Sequence, residues 1–246
     1  MKGAFDRGYY LFRRAVRNPR RVYSSEHLQP GREGESWFCF VPPIVSDGIL
    51  REGIIPCRGR VNIFTVCSYR IIKKDIDETL ENLDGIYGLA SQWMVNNTPK
   101  EHSLNFIGVS LGNTLMFRLI GELGERTGRV KEIYSVVGGS RLGSCARESL
   151  LTRDVAGKSG LSEAEYDKRL EKYNPINYTG KLFGRTKAYY GGKDLLIPSK
   201  YGRELAESLL QKESRYLHYY PNLGHCMSMF VAGREMKRVR RFLNNI

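Results

Sequence analysis

Leu104-Asn-Phe-Ile-Gly-Val-Ser-Leu-Gly-Asn-Thr-Leu-Met-Phe-Arg-Leu-Ile-Gly-Glu122 is the stretch whose reading decides the fold. Its first six residues form an apolar run suited to a strand covered on both faces, and residues 114–122 read as a helix. Between them, Gly108-Val-Ser110-Leu-Gly112 matches the pattern G-x-S-x-G in the strand–turn–helix context that the pattern requires. Such a turn leaves Ser110 strained with its hydroxyl exposed, and small residues two positions to either side let neighbouring backbone approach. The Leu111 backbone N–H, at the helix start, can then donate to a developing oxyanion. The pattern alone is weak, because an ordinary Gly-Ser turn has the same letters. Its surroundings decide.

Outward from this stretch, short apolar runs alternate with segments of helical period, the signature of a mostly parallel sheet with crossover helices. The strand-like runs are 36–41, 61–67, 104–109, 133–137, 186–190 and 215–220. The clearest helix carries Ile76, Leu80, Leu83, Tyr87, Ala90 and Met94, spaced so that one stripe faces a sheet. Asp75, Asp77 and Glu78 suit the positive end of its dipole, and Pro99 closes it. Residues 199–210 read as the helix after the fifth run, and residues 234–243 as the last. Residues 140–180 break the alternation. They hold a helical piece that starts at Ser162 with Glu165 three residues on, a capping-box pair, and ends at Asn174-Pro175. This insertion is expected to form a cap over the site.

Two later loops carry the partners that a serine nucleophile needs. Tyr189-Tyr-Gly-Gly-Lys-Asp194-Leu-Leu-Ile-Pro198 sets an acid after one strand, and Tyr219-Tyr-Pro-Asn-Leu-Gly-His225 sets a histidine after the next. In an open parallel sheet the loops after strand C-termini share one edge, so three such loops can converge. A serine hydroxyl is a poor nucleophile until a base takes its proton, and the imidazole needs a carboxylate to fix its tautomer and stabilise its cation.

The order Ser…Asp…His and the phrases G-x-S-x-G, G-G-x-D-x-x-x-P and N-x-G-H resemble the α/β-hydrolase family, from about Ser36 to the C-terminus. Asn174-Pro-Ile-Asn-Tyr178 resembles the phrase that many members carry on leaving the cap. The resemblance implies a three-layer α/β fold with an eight-stranded-type, mostly parallel twisted sheet, helices on both faces and a small helical cap. It further implies no cofactor, and hydrolysis of an ester, thioester or amide through an acyl-enzyme, with Ser110 as nucleophile, His225 as base and Asp194 as the orienting acid. One departure stands out. Most members have a His-Gly pair where this chain has Val41-Pro-Pro-Ile44-Val45, and prolines have no N–H to donate, so Ile44 or Val45 must supply the second oxyanion donor. Asn113, where many members have a third small residue, reads as a minor change.

Competing residues are weaker. His218 lies within a strand run, His102 just before the Ser110 strand and His27 on an early loop, and each reads as structural or surface histidine. Asp154 is a rival acid without the Gly-Gly and Pro frame of Asp194. Asp47 reads as solvated and Cys226 as packing.

Composition limits the rest. The length of 246 residues fits one domain, divided here into a basic segment with a first strand region at 1–35 and the hydrolase-like domain at 36–246. Five scattered cysteines lack metal-ligand spacing and read as reduced thiols, and no secretory or membrane-spanning pattern is visible, so a cytoplasmic protein is expected. Most of the net charge of +13 sits in residues 1–32 and 234–241, and basic patches are expected there. Phe5, Tyr9, Phe12 and Val16 fall at helical spacing among Arg7, Arg13, Arg14 and Arg17. That suits either a helix packed on the body or one resting on an anionic membrane surface. No nucleic-acid module is recognisable. The expected partner is a small acyl ester, with two alternatives: a thioesterase or acyltransferase on the same triad, and a non-catalytic binding protein.

Overall fold

The computed structural model describes residues 22–25, 34–42, 60–66, 68–182, 184–210 and 215–244. The amphipathic segment around Phe5–Val16, His27, Ile44 and Asp47 lie outside them.

Seven strands form one sheet: β1 (Val22–Ser25), β2 (Glu35–Val41), β3 (Arg60–Thr65), β4 (Ser103–Val109), β5 (Val130–Val136), β6 (Arg185–Gly191) and β7 (Arg215–Tyr220). Their spatial order is β1-β3-β2-β4-β5-β6-β7. Six are mutually parallel, and β1 closes the edge antiparallel to β3. Seven strands among the described residues thus stand against the eight that the resemblance implies. The chain steps from β2 outward to β3 and then back across to β4, so the strand order reverses between β2 and β4. In an open α/β sheet that reversal is where a crevice opens at the C-terminal edge.

The sheet is apolar on both faces. In β2, Phe38 and Phe40 join one core with Phe64 and Phe106, while Trp37, Cys39 and Val41 join a second core on the other side. The phenylalanine rings stack across strands at centroid distances of 4.9–6.4 Å. The first core is covered by α1 (Ile76–Asn97), α2 (Gly112–Gly121) and, further along, α3 (Leu142–Glu148), α4 (Glu163–Arg169) and α5 (Ser199–Leu210). The second is covered among the described residues by α6 (His225–Asn244), through Ala232 and Met236. This is a three-layer architecture.

In α1, Asp75 caps the first turn by accepting from the Asp77 N–H. Its buried stripe is Ile76, Thr79, Leu83, Ile86, Ala90 and Met94. Thr79 and Ile86 join the expected stripe, and Leu80 and Tyr87 are partly buried against the same core, Tyr87 also reaching toward α2. There the Arg118 guanidinium lies 3.9 Å from the Tyr87 ring centre and 4.7 Å from that of Tyr173.

The final helix corrects an expectation. It starts at His225 and not at 234, since His225, Ser228, Ala232 and Met236 form a buried stripe at helical spacing. Serine and alanine in that stripe are too weakly apolar to announce it in the sequence.

Residues 140–181 are mostly built into the helical layer. Tyr166, Leu170 and Tyr173 are fully buried in the first core. Arg169 pairs with Asp77, Lys172 and Tyr173 bond Asp84, and Thr179 bonds Ser208. The expected capping box at Ser162 and Glu165 is present. The segment touches the sheet's C-terminal edge at Leu150, whose N–H donates to the Leu195 carbonyl.

Asp84 and Glu122 share Arg118 at 3.1 and 2.9 Å. Partial burial pushes both carboxyls up, but hydrogen bonds from Lys172, Tyr173 and Arg118 to Asp84, and from Tyr87 and Arg118 to Glu122, outweigh it and hold both below the usual range. A carboxyl lowered in the folded state stabilises above its unfolded pKa, here above about pH 4–5, and that contribution is lost as pH falls through the folded value. Asp84→Asn should therefore lower the urea midpoint at pH 7 and leave it nearer wild type at pH 3. A pH-independent difference would contradict the network's ionic character.

Candidate active site

Ser110 follows β4 directly and holds φ at 55°, in the left-handed region. For a residue with a Cβ this costs on the order of 1–3 kcal/mol, which the surrounding structure must hold in place. Three features do so. The Ser110 N–H donates to the Val136 carbonyl at the end of β5, at 3.0 Å. Its carbonyl accepts from the Asn113 N–H, which starts α2. Gly112 lies so close to β2 that a Cβ there would stand 2.1 Å from the Phe40 carbonyl oxygen. The second glycine of G-x-S-x-G is therefore required by the approach of α2 to β2, at the point where the strand order reverses. Ser110 itself is partly exposed.

The acid and the histidine meet across the ends of β6 and β7. His225 Nδ1 and Asp194 Oδ2 are 2.7 Å apart, and both residues are buried. The other carboxylate oxygen, Oδ1, accepts from the Leu196 and Ile197 N–H groups at 2.9 Å each. The acid is thus held by two backbone donors on one oxygen and turned toward the ring with the other. The glycines before it let the two loops approach. A Cβ on Gly191 would lie 2.3 Å from Ser228 Oγ and 2.4 Å from the Leu223 carbonyl oxygen, and one on Gly192 2.6 Å from that of Pro221. The Gly192 and Lys193 N–H groups donate to the carbonyls of Tyr220 and Leu223, so the acid loop and the histidine loop are laced together. His225 sits at the first residue of α6, not on the preceding loop.

The structure thus brings Asp194 and His225 into contact and places Ser110 on the same sheet edge, two strands away from β6. The Ser110 hydroxyl has no hydrogen-bond partner among the described residues. The Leu111 N–H makes no bond to another described residue and heads α2. The second expected oxyanion donor, Ile44, lies outside the described residues.

The rival residues go elsewhere. His218 stacks on Tyr189 at 4.5 Å and pairs with Glu235 at 3.2 Å. His102 bonds the Ser36 hydroxyl, and Asp154 is exposed beside Arg153. Cys226 is exposed, and burial pushes the Cys145 thiol well above its ordinary range. No cluster of His, Cys, Asp or Glu among the described residues could hold a metal, and none of their helices is long and apolar enough to cross a membrane. Asn113 is the residue whose part the sequence reading undervalues. It is 1% exposed and bonds both sides of the Ser110 turn.

No protein-family model and no curated protein matches the sequence. Solved structures do match the fold. The acylaminoacyl peptidase of Pyrococcus horikoshii superposes with a TM-score of 0.60 at 12% identity over 91% of this chain, which spans 38% of that protein's length. An esterase of Pyrococcus furiosus gives 0.54 at 16% identity over 88% of this chain and 83% of that one. Acetyl xylan esterase 1 from a Thermoanaerobacterium species gives 0.57 at 12% identity, covering 83% and 73%. The chain has the α/β-hydrolase fold, shared with these esterases and this peptidase.

Two glycine substitutions test the close approaches. Gly112→Ala should destabilise by roughly 1–3 kcal/mol or more, since its methyl meets backbone that cannot swing aside. Gly224→Ala, whose Cβ would lie 3.3 Å from the Lys193 carbonyl oxygen, should cost far less. Urea denaturation of both variants measures the contrast, and equal midpoints would refute the packing argument.

Proposed function

We propose that this protein is a serine hydrolase of carboxylic esters, with Ser110 as nucleophile, His225 as general base and Asp194 as the carboxylate that orients the histidine. The observation that supports it best is the buried 2.7 Å contact between His225 Nδ1 and Asp194, on the sheet edge where a serine is held at positive φ. With Nδ1 engaged by the carboxylate, Nε2 is the nitrogen left to take a proton.

In the proposed reaction Ser110 Oγ bonds to the ester carbonyl carbon while its proton passes to His225 Nε2. The carbonyl electron pair moves onto oxygen, where the Leu111 N–H and the Ile44 N–H would donate to it. Collapse of this adduct breaks the bond to the alcohol oxygen, which leaves with the proton from His225. Water then attacks the acyl-enzyme, again giving a proton to His225, and releases the carboxylic acid with Ser110 restored. Asp194 holds the ring through Nδ1 and stabilises the imidazolium that forms.

The same steps serve a thioester. The charge of +13 favours a phosphate-bearing carrier such as an acyl-coenzyme A as a second reading. Thioester turnover that falls steeply with salt, while p-nitrophenyl ester turnover does not, would select it.

A fluorophosphonate probe should label the wild type and leave Ser110→Ala unlabelled. Equal labelling of the two would overturn the assignment, and a folded wild type inert to probe and esters would point to a binding protein. Asp194→Asn should lower kcat by roughly 10³–10⁴ on a p-nitrophenyl ester, because the amide stabilises the wrong tautomer.

A further inference from the structure

Asn113 occupies the second position of α2 and is buried beneath the Ser110 turn. Its Nδ2 donates to two carbonyls, that of Ser110 at 3.1 Å and that of Val136 at 3.0 Å. The Val136 oxygen also accepts the Ser110 N–H, and the Ser110 oxygen also accepts the Asn113 N–H. One carboxamide therefore closes a ring of bonds between the elbow and the end of β5.

Those two carbonyls flank backbone strain. Ser110 at 55° and Val137 at 46° are the non-glycine residues with positive φ among the described residues, and a β-branched valine there is a strong outlier. The first carbonyl belongs to Ser110 itself and the second to the residue before Val137. The side chain is also shaped to its place. A Cβ on Gly108 would lie 2.9 Å from Asn113 Cα and Oδ1, and one on Gly138 2.8 Å from Asn113 Cγ. Oδ1 is buried without a hydrogen-bond partner, and a flipped amide would face both carbonyls with oxygen. The orientation that donates is the one that the backbone accepts.

We propose that Asn113 is a positioning residue for the nucleophile, tying the elbow to β5 so that Ser110 and Val137 both keep their left-handed conformations. This rests on Ser110 being the nucleophile. Asn113 is buried and acts through the Ser110 backbone. Its effect is on where Ser110 Oγ stands relative to His225, and misplacement by about 1 Å can cost ~10²-fold in rate.

The test compares wild type, Asn113→Ala and Asn113→Asp, the last keeping the shape while removing the donors. Fluorophosphonate inactivation rate and kcat on a p-nitrophenyl ester should fall about 10–100-fold in both variants, with KM within about twofold. The downfield proton NMR signal of the His225–Asp194 bond should persist, marking a folded protein with an intact acid–base pair. Val137→Gly added to Asn113→Ala should recover part of the rate, since glycine adopts positive φ without a tie. That double variant also serves if the single alanine variant folds poorly. Rates within twofold of wild type, a loss confined to KM, or no recovery in the double variant would overturn the proposal. Absence of labelling in the wild type would instead remove the hydrolase reading on which it stands.

Discussion

Close contact of backbones at the C-terminal edge of the sheet is the constraint on which the rest of this structure depends. There α2 starts against the Phe40 carbonyl, and no side chain larger than hydrogen fits at Gly112. Ser110, two residues earlier, has no room to relax and is held at φ 55° by bonds to β5 and α2. The strain at Ser110 is sustained by a core of phenylalanines and leucines on one side of β2 and β4 and by a smaller core of Trp37, valines, isoleucines and tyrosines on the other. A rigid frame of this kind is what keeps a reactive group in place without help from a substrate.

A second contact of the same kind joins the acid and histidine loops. Gly191 and Gly192 let the turn before Asp194 lie against Pro221–Leu223, and two backbone bonds lace the loops together. With Oδ1 saturated by Leu196 and Ile197, the carboxylate has one oxygen left, and it meets His225 Nδ1. The geometry of this pair is set by main chain far more than by side-chain choice. That is why the phrase G-G-x-D carries information: its glycines are steric requirements and its aspartate is the group they deliver.

The Arg118 cluster shows a different use of polar residues. Tyr87, Asp84, Glu122, Lys172 and Tyr173 gather around one guanidinium and tie α1, α2 and the 140–181 segment into a single layer. Its Arg118 lies on α2, so the helix that begins at the Ser110 turn is anchored further along by charge. The segment between β5 and β6 is for most of its length part of this layer, and Tyr166, Leu170 and Tyr173 belong to the core.

Strand runs, the α1 and α5 helices, the capping box at Ser162, the strand–turn–helix at Ser110 and the placing of Asp194 and His225 after neighbouring strands were legible in the sequence. Each rests on local chemistry: an apolar period, a cap, or a glycine frame around a reactive side chain. The helix that starts at His225 was not, because its buried stripe of Ser228, Ala232 and Met236 has little hydrophobic contrast. Nor was the part played by Asn113, since an asparagine after G-x-S-x-G gives no sign of which carbonyls it will meet. Those carbonyls belong to Ser110 and to Val136, a residue 23 positions away, and only the pairing of β4 with β5 brings them together. The sequence by itself determined which residue types stand at the ends of which strands. The tertiary structure alone decided how closely those ends approach, because that distance depends on the packing of distant helices and not on any local pattern.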